Sequence, residues 1–471
     1  MAKRKASWNV VRTERPTAQI NRRHFIYTSA LAAGTLAAGL PGCMARPNYK
    51  SPNEKLNIAG VGTNGRAADD LEGVSSENIV ALCDVDGHSL AAALKRYPGA
   101  RPYLDYRVML EKEEKSIDAV VVGTPDHHHA PAAIRAIRAG KHVYCEKPLT
   151  RTVWEARQLT LAARKYRVAT QMGNQGHSGE GIRDLCEMIW AGAIGQVREV
   201  HCWTDRAKGW WTQGVLRPPG SDPIPPYLDW DKWLGPAPAR PYLDFWPEKL
   251  QTPSNKHVYH PSSWRGWWDF GCGALGDMAC HIMDCPQWAL HLGPPETVEL
   301  VSSSERVPEM PPVKAIIRYE FPARGELPPC ALIWYDSGQK PPRPAELEAE
   351  ELEDNGSLFI GDKGKIFCGV YGSKPRLLPE SSMADYKRPP KTIPRVPGHD
   401  SHPDWIRACK GGPPACSNFD ISGPFTEWVL LGNLATRLGK KLRWDPEYLR
   451  VTNAPEAEEM IRGAYRKGWE V

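Results

Sequence analysis

The residues that could carry chemistry fall into four groups. The first is Ile58–Arg66, I-A-G-V-G-T-N-G-R, which follows an apolar run directly. Gly60, Gly62 and Gly65 make a G-x-G-x-x-G turn, with Thr63 and Asn64 inside it. The first glycine permits the tight turn and the second lets backbone approach a pyrophosphate. The third lets a helix pack on the strand, with its N-terminus facing the negative charge. A second apolar run, Ile79–Cys83, ends in Asp84, 19 residues beyond Gly65. At that distance an acidic residue binds the ribose 2′-hydroxyl and repels a 2′-phosphate, so NAD is favoured over NADP. A glycine turn in a nucleotide-free α/β domain, with Asp84 as a helix cap, is the alternative.

The second group, Gly123-Thr124-Pro125-Asp126-His127-His128-His129, comes straight after the apolar run Ala119–Val122. Ligands of open α/β sheets lie at the carboxyl ends of strands, which places Thr124, Pro125 and His127 against the cofactor. Adjacent histidines diverge, and no partner spacing accompanies them, so no metal site is expected. The third group is Glu146-Lys147-Pro148, at the end of the run His142–Cys145. A lysine there, beside a cationic nicotinamide, would have a lowered pKa and could move a proton at an alcohol carbon. Pro148 biases Lys147 toward extended backbone and leaves a cis bond open. A solvated lysine beside an ordinary turn proline fits the tripeptide equally. In the fourth group, Trp264 and Arg265 open a Trp/Gly-rich stretch that leads to Asp277 and His281. Four apart on a helix, these two share a face, and a carboxylate can orient an imidazole as general base. A buried histidine merely satisfied by an aspartate has the same signature.

Positioning these groups requires strands that end beside one another. Apolar runs at Leu56–Val61, Ile79–Cys83, Ile117–Val122, His142–Cys145 and Val168–Met172 alternate with helical stretches near His88–Arg96, His129–Ala139 and Val153–Tyr166. That alternation predicts a doubly wound parallel sheet over residues 55–173. Residues 174–445 read as a second α/β domain with a large, mostly antiparallel open sheet. Its strands are Val197–Thr204, Val298–Ser303, Ala315–Phe321 and Ala331–Tyr335, followed by a hairpin about Gly361-Asp362-Lys363-Gly364. Helices are expected at Gly179–Ala191 and Thr426–Leu438. Residues 205–263 and 372–398 read as long loops, and 446–471 as a C-terminal tail.

The chain has 471 residues, 41% of them apolar, and a formal charge of +5. The first 43 residues hold seven Lys/Arg against one Glu, so the remainder is near neutral and offers no basic face for nucleic acid. Asn21-Arg22-Arg23-His24-Phe25-Ile26 resembles a twin-arginine motif, followed by a short Ala/Gly/Leu-rich segment and Leu40-Pro41-Gly42-Cys43, which resembles a lipobox. Residues 1–43 therefore read as a leader and 44–54 as a linker, with a periplasmic or cell-surface address. Membrane attachment is expected only through a lipid on Cys43. The twelve cysteines include no C-x-x-C, and disulfides among Cys272, Cys280 and Cys285, or between Cys409 and Cys416, are open in an oxidising compartment. Nine of the 18 tryptophans lie between Trp203 and Trp268, where their faces suit pyranose rings or, equally, the packing of a long loop.

Together the Gly60–Gly65 turn, Thr124–His127, Glu146-Lys147-Pro148, and Asp277 with His281 resemble the glucose–fructose oxidoreductase/inositol dehydrogenase/rhizopine-catabolism (Gfo/Idh/MocA) family of NAD(P)-dependent oxidoreductases. The resemblance runs from Lys55 to about Asp445. It implies a Rossmann domain followed by an α/β domain. It also implies Lys147 as the proton-handling catalyst, Asp277 and His281 beside the substrate carbinol, and hydride transfer at a sugar or polyol carbon. Within Met172–His177 it makes Asn174 a cofactor contact and His177 a substrate contact. A homo-oligomer is expected. An exported member lacks a pool of free NAD. Its cofactor is then expected to be held tightly and reset internally, either by a second substrate or by a redox-neutral glycoside cleavage. A non-catalytic NAD or sugar sensor is the reading from another class, and the joint presence of Lys147, Asp277 and His281 speaks against it.

Overall fold

β1 (Asn57–Val61) is the central strand of the first sheet, and its apolar residues are almost wholly enclosed. The computed structural model describes residues 54–348 and 350–471; the leader, Cys43 and nearly all of the linker lie outside the described residues. β2 (Asn78–Cys83), β3 (Arg101–Tyr103), β4 (Ala119–Val122), β5 (His142–Cys145) and β6 (Thr170–Met172) complete an all-parallel sheet in the order β3-β2-β1-β4-β5-β6. Ile58 pairs with Ala119 and Val61 with Val122, so β1 and β4 end together. β4 reads A-V-V-V and is buried throughout, as a strand covered on both faces must be. The order reverses between β1 and β4, which opens a crevice at their carboxyl ends. Gly62, Asp84, Gly123, Glu146 and Gly173 all follow strands at that edge.

Five helices cover this sheet: α1 (Arg66–Gly73), α2 (Gly87–Arg96), α3 (Tyr106–Lys112), α4 (Asp126–Arg138) and α5 (Val153–Tyr166). A capping box fixes the start of α5, where Thr152 accepts from the Glu155 backbone and Glu155 reaches back to Thr152. α4 begins three residues before the expected His129, because Pro125 precedes it and Asp126 sits in its first turn. β3 and α3 were not legible in the sequence. Both are short, and Pro102 interrupts β3.

After α6 (Glu180–Trp190) the chain builds a second sheet. Its strands are β7 (Val197–Trp203), β8 (Thr297–Ser303), β9 (Ala315–Phe321), β10 (Cys330–Tyr335), β11 (Gly356–Gly361), β12 (Lys365–Gly369), β13 (Arg376–Leu378), β14 (Leu442–Asp445) and β15 (Arg450–Val451). They run in the order β13-β12-β11-β7-β10-β9-β8-β14-β15, antiparallel except for the pair β7 and β10. The hairpin about residues 361–364 forms as expected, with Gly361 N donating to Gly364 O at 2.9 Å.

Residues 205–263 are not a loose cover. With Trp267 and Phe270 they enclose their own apolar cluster, which includes Trp230, Trp233, Tyr242, Trp246 and Tyr259. Of the nine tryptophans between 203 and 268, all but Trp210 are buried, so packing claims most of them. The helix Phe419–Leu438 starts earlier than expected, at the Asn418 cap, with Pro424 within its first turns. Every described cysteine is a free thiol, including Cys409 and Cys416.

Candidate active site

A cavity of about 590 Å³ opens along the carboxyl edge of the first sheet. One wall is the glycine turn. Gly62 has φ +89°, and a Cβ there would lie 2.8 Å from Gly123 O, so only glycine lets this backbone line the cavity. Gly65 has φ +55° and precedes α1 without any side-chain cap, which leaves first-turn N–H groups for an anion. A Cβ on Gly65 would meet nothing within 4 Å, so its role is conformational. The close helix–strand approach expected of it falls to Gly123, where a Cβ would sit 2.6 Å from the Ala67 Cβ. Thr63 donates to Asp84 Oδ2 through its backbone (2.9 Å) and its hydroxyl (2.8 Å), and Asp86 N reaches Oδ1 at 3.0 Å. Burial pushes the Asp84 carboxyl up, and these hydrogen bonds oppose it. Asn64, Thr124, Pro125 and Glu146 also border the cavity. The donor set, the glycine cradle and the uncapped helix fit a dinucleotide.

At the other end stands Lys147. Its Nζ donates to Asp277 O at 2.7 Å and to Asp277 Oδ1 at 2.8 Å. Arg265 Nε approaches the same Oδ1 at 3.1 Å. Burial would raise the Asp277 carboxyl, but Lys147 and then Arg265 outweigh it and hold it below the usual range. Asp277 lies in a π-helical turn, Leu275–Ala279, ahead of the short helix Cys280–Ile282 that carries His281. Such turns recur at functional sites. His281 borders the cavity, its ring edge-on to Tyr371 at 4.8 Å. Burial and the Lys147 charge push its pKa well down, so the ring is neutral.

Behind Lys147, Glu146 is 4% exposed. Its Oε1 receives Arg66 Nε at 3.3 Å and Gln175 Nε2 at 3.1 Å. Burial, with the charge of Asp70, pushes its pKa up to about 8 against the pull of Arg66. Nearby Asp126 is likewise pushed up by burial, to about 7.

Residues 55–174 match the family model described as "Oxidoreductase family, NAD-binding Rossmann fold", and residues 208–307 match "Oxidoreductase family, C-terminal alpha/beta domain". Both are models of the Gfo/Idh/MocA family. Among curated relatives, the chain is 32% identical to an inositol 2-dehydrogenase of Salmonella typhimurium over 154 residues, 31% of this chain and 44% of that one. It is 28% identical to a glycosyl hydrolase family 109 protein of Shewanella pealeana over 210 residues, 38% of this chain and 44% of that one. The matches thus span less than half the length of these relatives. The fold resembles the WlbA dehydrogenase from Bordetella pertussis, solved with NADH and UDP-GlcNAcA, with TM-score 0.56 and 18% identity over 83% of this chain and 99% of that one.

Four expectations fail on geometry. Asp277 does not orient His281: its carboxylate is taken by Lys147 and Arg265, and His281 Nδ1 is buried without a partner. His127 turns away from the cavity, its ring nitrogens lying 3.2 Å from Phe270 O and 2.9 Å from Trp233 O. The next residue on α4, His128, faces the cavity instead. Asn174 and His177 both bond Asp284, at 3.1 and 2.9 Å, and His177 stacks on Trp288 at 4.4 Å. Neither borders the cavity; Gln175 between them does, because a 3₁₀ turn runs from Gln175 to Ser178. Trp264 and Arg265 do border it. Sequence reasoning missed Arg66, Gln175, His260, Tyr371 and Trp469 on the walls. Arg66 and Gln175 adjoin motifs already singled out. The other three come from distant segments whose spacing carries no signal.

Proposed function

We propose that the chain is an NAD-dependent oxidoreductase acting on a carbinol carbon of a sugar, polyol or glycoside. The observation that carries this reading is Lys147, fixed by Asp277 at the mouth of a cavity whose far end is a glycine turn with an acidic strand terminus. When bound, the nicotinamide would supply the hydride acceptor. Lys147 holds and moves the proton of the substrate hydroxyl. Asp277 and Arg265 keep its amine in place, and neutral His281 offers a second basic nitrogen on the same wall. Asp84 disfavours a 2′-phosphate, which supports NAD over NADP. Trp264 and Tyr371 offer ring faces to a pyranose. The leader with Arg22-Arg23 supports export, where a retained and internally reset cofactor keeps turnover going. Membrane attachment, if any, would be through a lipid on Cys43, and we read the folded chain as self-associating.

The likeness to a family 109 glycosyl hydrolase favours one further reading, redox-neutral glycoside cleavage. A ketone at C3 acidifies the C2 proton, the C1 substituent leaves by elimination, water adds, and the ketone is reduced again. That sequence needs a base for the C2 proton, a role open to His281.

Purification without added nucleotide, followed by absorbance and mass analysis of what denaturation releases, tests cofactor retention. Sugars and aryl glycosides are then screened with Lys147→Ala alongside. Substrate-dependent oxidation that drops by roughly a hundredfold or more in Lys147→Ala supports the reading. Glycoside cleavage without added NAD selects the redox-neutral route. Undiminished activity in Lys147→Ala overturns the assignment of the lysine.

A further inference from the structure

The residues after β15 do not trail away from the body of the molecule. A helix, Ala457–Arg462, leads into a segment that crosses the outside of the first domain and ends in the cavity wall. Arg466 is its anchor. Its backbone N–H donates to Pro236 O at 3.1 Å, its Nε to Gly235 O at 2.6 Å, and its Nη1 to Asp231 Oδ1 at 2.6 Å. Two arginines from different helices converge on the next turn: Arg107 Nη1 at 3.3 Å and Arg135 Nη2 at 2.9 Å both donate to Gly468 O. Trp469, 5% exposed, is thereby pressed inward. Its ring packs edge-on against Tyr106 at 5.8 Å and His128 at 5.4 Å, and the Arg107 guanidinium lies 3.7 Å over it.

Its place along the cavity is informative. Asp84, at the end of β2, marks the ribose. Leu104, Asp105 and Tyr106 follow β3, the next strand outward, on the side away from Lys147. A nucleobase attached to that ribose has to occupy this end, where Leu104, Tyr106, His128 and Trp469 form the walls. Five hydrogen bonds and a cation over its face order one indole at the end of an otherwise separate segment.

We propose that Trp469 and its strap clamp the nucleobase end of the dinucleotide and set how slowly it leaves. The inference rests on the dinucleotide reading above and adds to it a specific retaining residue. An indole edge or face against the base contributes to affinity mainly through dissociation. Closing that end also shields the adenosine half from water while the Lys147 end stays open to exchange substrate, which is what an internally reset carrier requires.

The test is release of NADH from the full chain, followed by fluorescence after a chase with excess NAD. In Trp469→Ala, release is expected to be roughly tenfold or more faster, within the range reported for losing one base–aromatic contact. ADP-ribose should bind more weakly to the same extent, while nicotinamide mononucleotide is unaffected. Arg466→Ala, which leaves the indole but cuts its anchor, should also speed release. A folded Trp469→Ala variant with the wild-type rate, or equal weakening of nicotinamide mononucleotide, overturns the proposal. If Trp469→Ala does not fold, an unchanged rate in Arg466→Ala overturns it. Failure of the wild-type chain to bind any dinucleotide would instead remove the reading on which it rests.

Discussion

Glu146 is held behind the reacting edge by the smallness of Gly173. A Cβ at residue 173 would fall 2.1 Å from Glu146 Oε1 and 3.2 Å from Glu146 Cα, so no side chain fits without moving that carboxylate. The carboxyl itself gives a pH signature. A glutamate in the unfolded chain releases its proton near the ordinary value of 4.5, whereas in the fold burial holds the proton until about pH 8. Between those values the folded state binds more protons, so rising pH removes stability across the window. Glu146→Gln cannot ionise. Its melting temperature relative to wild type should therefore climb between pH 5 and pH 8.5, and a flat difference would contradict the buried-acid description. Lys147, Glu146, Asp277 and His281 were all legible because each sits in a short motif beside a strand or helix end. Their partners were not. Whether Asp277 serves His281 or Lys147 depends on Arg265 and on a π-helical turn, neither of which leaves a spacing signature.

At the scale of elements, the β1–α1 turn is the most demanding. Gly62→Ala puts a Cβ 2.8 Å from Gly123 O on a residue with φ +89°, so the turn has to shift away from β4. Such overpacking typically costs about 1–3 kcal/mol. Dinucleotide affinity should fall at least as steeply as stability, because the displaced backbone lines the cavity; calorimetric titration checks it. The first sheet was readable almost strand by strand, since its buried parallel strands are continuous apolar runs bounded by Gly, Asp or Pro. The helix Phe419–Leu438 was cut short by seven residues, because Pro424 reads as a breaker. Pro424 is the sixth residue of the helix; it removes one backbone bond, to the Asp420 carbonyl, and the helix continues through it. The aromatic stretch 205–263 resisted for a different reason. Its order comes from rings packed on rings, including Trp230 on Trp233 at 4.7 Å and Trp246 on Trp267 at 5.9 Å, and such packing has no period along the chain.

Over the whole molecule, that long helix ties the two sheets together through two glycines. A Cβ on Gly423 would lie 1.9 Å from Thr160 Oγ1 on α5, and one on Gly432 would lie 2.1 Å from the Tyr319 hydroxyl on β9. Arg157 of α5 clasps Glu427 of the same helix through two hydrogen bonds of 2.7 Å. Gly423→Val should lower stability by about 1–3 kcal/mol in denaturant titration while leaving the nucleotide affinity of the surviving folded protein close to wild type, since the contact lies far from the glycine turn. Wild-type stability in this variant would show that the helix has slack.

The same late segment completes an early strand. Met172 N donates to Ser417 O, Ser417 N to Gln171 Oε1, and Phe419 N to Thr170 Oγ1. β6 is therefore an uncovered margin until some 245 further residues have been synthesised. A gene fragment stopping at residue 173 would produce a half-protein with a bare, adhesive border, prone to clumping in the test tube. Crystallographers wanting the nucleotide half alone should splice residues 415–438 back onto it.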